Sequence, residues 1–112
     1  MRPRVSSDPL YQLLREEKIS DFNNRRNSGE KADFTNCDFR GLDLRGLNAA
    51  GLDFSGSYFR QADMRGVDLS QSNLQGASVN KAQVSGTLFP QELSAEEIRL
   101  SLEHGTRLRY RA

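Results

Sequence analysis

Apolar and polar residues cycle with a period of five from Ala32 to Gln91: ADFTN CDFRG LDLRG LNAAG LDFSG SYFRQ ADMRG VDLSQ SNLQG ASVNK AQVSG TLFPQ. The central place holds Phe34, Phe39, Leu44, Ala49, Phe54, Phe59, Met64, Leu69, Leu74, Val79, Val84 and Phe89, apolar in every unit. Asp or Asn precedes it in eight of the twelve units, and Gly closes seven of them. Five residues turn an ideal helix by about 500°, which would smear the apolar row around its circumference. In a flat strand, five steps would send alternate central residues to opposite faces. All twelve can face one interior only if the chain turns a corner in every unit, and that predicts a solenoid wound around its own apolar axis.

The closing residues agree with the corners. Gly41, Gly46, Gly51, Gly56, Gly66, Gly76 and Gly86 stand where a type II turn needs a positive φ, and Asn36 takes the same place once.

These units resemble those of the bacterial pentapeptide-repeat proteins: a small residue, Asp or Asn, Leu or Phe, then two polar residues. The resemblance covers about sixty of the 112 residues. It implies an all-β solenoid, a short right-handed quadrilateral β-helix with four units per coil and about three coils. At about 4.8 Å per layer the rod would be about 15 Å long. Residues twenty apart would then stack, giving interior columns that start Phe34 over Phe54, Phe39 over Phe59, Leu44 over Met64 and Ala49 over Leu69. Leu42, Leu47 and Leu52 stand at the usually small first place around the undersized Ala49. They are expected to fill the volume it leaves, since a void costs more than a volume-conserving exchange.

The flanks read as caps within a single domain, 1–112, divided into an N-terminal helical cap (1–31), the repeats (32–91) and a C-terminal helix with a basic tail (92–112). Ser7 or Asp8 can cap a helix with Pro9 at its first position, and Leu10, Leu13 and Leu14 give it an apolar stripe. Ser20 can start a second helix through Phe22, Asn23 and Arg26, closing near Gly29. Ser94 and Glu97 form a capping box, with Leu93 and Ile98 as a staple and Gly105 as terminator. Such helices would hide the open edges of the end coils. Beyond Gly105, Arg107, Arg109 and Arg111 alternate with Leu108 and Tyr110, so the tail has one basic and one apolar face and wants a surface to lie on. A homodimer through the C-terminal helix and tail would supply one.

Composition removes several functions. The first thirty residues lack a secretory apolar run and nothing is long enough to span a membrane, so a cytoplasmic location is expected. Cys37, the one cysteine, permits no internal disulfide and suits a buried spacer. His104, the one histidine, falls in a last helical turn. The aspartates recur at one place in the unit, as turn supports do, rather than as a paired acid and base. No phosphate loop, dinucleotide fingerprint or zinc pattern occurs, so no catalytic residue, cofactor or metal is assigned and the chain is read as non-enzymatic.

With the interior filled, function falls to the outer faces. The fourth and fifth places carry Arg40, Arg45, Arg60, Arg65 and Lys81 and no acidic residue. Tyr58 replaces the expected Asp beside Arg60, and a tyrosine among arginines is the composition of an interface anchor. The candidate interaction surface is Arg40, Arg45, Tyr58, Arg60, Arg65, Arg107, Arg109, Tyr110 and Arg111, and the chain reads as a protein-interaction module, a small adaptor or regulator with an unidentified protein partner. The resemblance also brings a second reading, a DNA-mimic modulator of DNA gyrase or topoisomerase. Against it, the repeats hold six aspartates (33, 38, 43, 53, 63, 68) and five cations (40, 45, 60, 65, 81), and the whole chain is +1. A third reading is nucleic-acid binding through the Arg/Tyr face and basic tail, for which a pI near 7.9 and the interleaved aspartates give a weak footprint.

Overall fold

A computed structural model describes residues 2–111; the two end residues of the expected 1–112 domain lie outside the described residues. Three helices flank the repeats: α1 (Pro9–Arg15), α2 (Ile19–Asn27) and α3 (Ala95–His104).

Within the repeats the chain turns a corner in every unit. Positive φ occurs at each fifth place from Asn36 to Gly86 except Gln71, and Gln61 and Lys81 adopt it without being glycine. From Leu47 to Thr87 the N–H of each first-place residue closes the preceding turn onto its central carbonyl, as in Ser57 to Phe54 (3.0 Å) and Ala77 to Leu74 (3.0 Å). Gly56 shows why a side chain is excluded at one corner: its φ is 70°, and a Cβ there would stand 2.1 Å from Asn36 Oδ1 of the adjacent turn.

Adjacent turns pair in parallel with a register of twenty, through bridges Asp38 to Tyr58 to Ser78 and Asp43 to Asp63 to Gln83. Each layer gives and takes. The N–H of Phe39 donates to Tyr58 carbonyl (2.8 Å), and the N–H of Tyr58 donates to Cys37 carbonyl (3.0 Å). The pairing consists of isolated bridges rather than extended strands, because a corner every five residues interrupts each ladder. The flanking helices agree with the expected caps, whereas the expected all-β solenoid is represented by isolated parallel bridges and not by strands.

The interior carries two rows per unit. Central residues from Phe34 to Val79 are buried, and so are the first-place residues Cys37, Leu42, Leu47, Ala62, Val67 and Ala77. Leu52 is half-buried against this core, so none of the three leucines around Ala49 turns to solvent. Polar first-place residues are satisfied across layers: Ser72 Oγ donates to Ala49 carbonyl (2.7 Å). Phe34 lies over Phe54 (centroids 5.9 Å) and Phe39 stacks on Phe59 (5.2 Å, 11° between planes). Edge contacts Phe39–Phe54 and Phe54–Phe59 join the two columns. Each such pair adds about 0.5–1.5 kcal/mol beyond area burial.

The N-terminal helices extend these columns. Asp8 caps α1 by accepting from Leu10 N–H (2.8 Å), with Pro9 at the first position. Tyr11 packs on Phe39 (5.4 Å) and donates its hydroxyl to Asp38 carbonyl (2.6 Å), while Phe22 of α2 meets Phe34 edge-on (5.8 Å). Ser20 does not start α2. The positive φ of Glu17 turns the chain straight out of α1, so the helix begins at Ile19 with Lys18 as a cap that makes no side-chain hydrogen bond.

At the other end Ser94 Oγ accepts from Glu97 N–H (3.1 Å) and Gly105 closes α3 with φ 72°. Among the described residues the reciprocal half of the expected capping box, Ser94 N–H to Glu97, is absent. Glu97 instead holds Arg109 Nε at 2.9 Å, an ionic partner stronger than a backbone N–H.

Candidate functional site

The second-place aspartates hold the corners from outside. Asp38, Asp43 and Asp63 each accept the N–H of the arginine two residues on, at 3.0, 3.1 and 3.2 Å. This local bond is what Asp offers a turn. The arginine side chain then doubles back onto the same carboxylate with two N–H donors: Arg40 on Asp38 (2.9 and 2.9 Å), Arg45 on Asp43 (3.0 and 2.8 Å), Arg65 on Asp63 (2.9 and 2.7 Å). Arg45 also reaches Asp63 in the next layer at 3.3 Å. The stacked like charges are thereby offset by opposite ones. These bonds hold the carboxyls below the ordinary range, Asp43 at about 2 through the Arg45 side chain and backbone, and Asp38 and Asp63 in the same direction through Arg40 and Arg65.

Tyr58 breaks the pattern. Its unit has no carboxylate for Arg60 to fold onto, and among the described residues Arg60 forms no ion pair. Arg107 comes from the tail to this spot. Its guanidinium lies 4.9 Å over the Tyr58 ring, donates to Gly76 carbonyl (2.7 Å) and bonds the Tyr58 hydroxyl. Between the repeat face and the turn at Gly105 lies a cleft of about 340 Å³ lined by Arg40, Tyr58, Arg60, Ser78, Asn80, His104, Gly105 and Arg107.

The nine residues expected from sequence therefore fall into three places. Arg40, Tyr58, Arg60 and Arg107 share the cleft. Arg45 and Arg65 form the ionic ladder with Asp43 and Asp63. Arg109, Tyr110 and Arg111 serve the C-terminal cap: Arg109 on Glu97, the Tyr110 hydroxyl accepting from Leu74 N–H (2.8 Å), and Arg111 donating to Gln91 carbonyl. Ser78, Asn80 and His104 also line the cleft. Ser78 and Asn80 stand twenty residues after Tyr58 and Arg60, so the register itself could have found them; nothing in the sequence brings His104 there.

Cys37 is buried, and that burial pushes its thiol up. Among the described residues no helix is long and apolar enough to cross a membrane.

Comparison with curated proteins and with solved structures gives no match. The description Pentapeptide repeats matches residues 30–61 and 53–89, in 8 copies. Such repeats imply a β-helix fold and generally serve as protein-interaction modules. The match spans more than half of the sequence and coincides with the parallel twenty-residue register and the corner at every fifth place, so the chain belongs to the pentapeptide-repeat family.

Proposed function

We propose that this chain is a small, non-enzymatic, cytoplasmic protein-interaction module, a single domain in which a right-handed quadrilateral β-helix of about three coils presents one outer face to a protein partner. The observation that carries this reading is the convergence of Arg40, Tyr58 and Arg60 from two layers with Arg107 from the tail on one exposed cleft, above an interior filled by side chains. Tyrosine and arginine are the residues most often found where interfaces draw their energy. The DNA-mimic reading loses support, because Asp38, Asp43 and Asp63 are each matched by an arginine of their own unit and cannot imitate a row of bare phosphates. A homodimer through the tail would have to use the outer side of α3, since Leu108 and Tyr110 already lie on the last coil.

The test is affinity capture from native lysate with wild type and two paired variants, R40Q/R60Q and R45Q/R65Q, each checked for native circular dichroism. The partner should be lost from R40Q/R60Q and kept by R45Q/R65Q. Undiminished capture by R40Q/R60Q would refute the assignment of this face.

A further inference from the structure

Arginine is common on this surface, and much of it lies on carboxylates of the same chain. Arg40, Arg45 and Arg65 lie on their own aspartates, Arg109 on Glu97 and Arg25 on Glu30. The cleft is different in its balance of charge. Three guanidinium groups line it and no acidic residue does. Arg60 and Arg107 meet no carboxylate among the described residues, and this follows from one departure in the repeat, Tyr58 in the place of Asp.

We propose that this cleft is an oxyanion site that receives a phosphorylated or carboxylate side chain of the protein partner. The inference rests on the reading of this face as the protein-binding one and adds the chemistry it recognises. Arg107 is held before any ligand arrives, by Gly76 carbonyl at 2.7 Å, by the Tyr58 hydroxyl and by the ring 4.9 Å beneath it. Ordering that side chain on binding therefore costs little, and its remaining N–H donors stay in the plane that bidentate oxyanion recognition uses. Arg60, exposed and not drawn into an ion pair, supplies a second guanidinium from the layer next to Arg40. Asn80, whose amide donates to Ser101 carbonyl (3.4 Å), and His104 also line the cleft.

Size and spacing favour a side chain over a polymer. A cleft of about 340 Å³ is at the small end of ligand-sized sites and accepts one charged group with its flanking atoms. A nucleic acid would need further uncompensated cations along its path, and the neighbouring ladder of Arg45 and Arg65 is neutralised by Asp43 and Asp63.

The experiment is amide NMR titration of the full chain at fixed ionic strength, first with inorganic phosphate and then with three peptides identical except for phosphoserine, glutamate or serine at one position. Phosphate should give saturable shifts at Tyr58, Asn80 and Gly105. Either charged peptide should bind more tightly than the serine peptide, and the better of the two identifies the source of the oxyanion. Arg60→Gln, which touches no structural partner, should weaken phosphate about tenfold, and Arg107→Lys should weaken it while keeping the charge. Shifts that rise linearly without saturation, an R60Q affinity equal to wild type, or equal binding of the serine peptide would each overturn the site. A single-stranded oligonucleotide that displaces the charged peptides, with affinity falling steeply in salt, would overturn the side-chain assignment. If R40Q/R60Q loses the captured partner while phosphate and all three peptides leave the cleft unmoved, the oxyanion chemistry fails and the interaction face stands.

Discussion

The two ends of the repeat stack are closed differently. At the first coil backbone bonds, Arg4 N–H to Asn36 carbonyl (2.6 Å) and Asp38 N–H to Arg4 carbonyl (2.9 Å), are joined by aromatic packing. Tyr11 and Phe22 continue the phenylalanine columns outward, and both are fully buried. At the last coil the closure is a set of hydrogen bonds to the exposed backbone edge: Val79 N–H to Ser101 Oγ (3.0 Å), Lys81 N–H to Leu102 carbonyl (2.9 Å), and Leu108 paired with Gly76 and Ala77 (2.8 Å each). This second cap covers only part of its coil. Among the described residues the N–H groups of Val84, Gly86 and Phe89 have no protein partner, Val84 and Phe89 are half-buried, and Leu88 is 57% exposed. Both ends thus satisfy backbone edge groups, but only the first also extends the aromatic columns.

The sharpest way to break the comparison is to remove the aromatic seal. Phe22→Ala should cost about 3–5 kcal/mol in urea unfolding, since it deletes a fully buried ring and opens a cavity over Phe34. That is a large share of the total of about 5–15 kcal/mol expected for a chain of this kind. A loss below about 1 kcal/mol would mean that α2 lies on the stack without sealing it.

The C-terminal seal should yield to a single oxygen. Tyr110→Phe keeps the ring and removes the acceptor of Leu74 N–H, leaving a backbone donor without its partner. The expected cost is about 1–2 kcal/mol, with faster hydrogen exchange at Leu74. Unchanged exchange there would show that water already reaches this edge and that the hydrogen bond seals nothing.

How much of this the sequence could foretell differs between the ends for the same reason. The five-residue period predicted the buried central row, and the short-range capping signals of Asp8, Pro9, Ser94 and Gly105 act as expected, because each depends on residues within four of one another. The Tyr11 contact with Phe39 and the Arg109 contact with Glu97 join positions whose distance is set only when the helices dock, and no local pattern announces them. Ser20 looked like a helix start, but the turn at Glu17 decided the boundary first. The cleft was half legible. Tyr58 in an Asp place marked the spot, whereas the arrival of Arg107 and His104 depends on where the tail lies.

Acid should separate the ends by the smallest margin, because carboxylates are distributed unequally. The second places from 33 to 68 hold Asp33, Asp38, Asp43, Asp53, Asp63 and Asp68, and those from 73 to 88 hold Asn73, Ser78, Gln83 and Leu88. Asp38, Asp43 and Asp63 have carboxyls depressed by arginine hydrogen bonds, and Asp33 and Asp68 by Thr35 and Ser70. A depressed folded-state pKa contributes stability that is present above the unfolded value of about 4 and is lost as pH falls through the folded one, about 2 for Asp43. The arginine partners are solvent-exposed, so water and salt screen each pair and its contribution is small. Between pH 4 and about 2, hydrogen exchange corrected for intrinsic rate should therefore accelerate at the corner amides of Arg40, Arg45 and Arg65, while Gln83 and Leu88 keep their protection. Asp43→Asn should remove much of the response at Arg45. Equal acceleration across the whole repeat region would mean that acid unfolds it as one unit and that the aspartates do not act on their own corners.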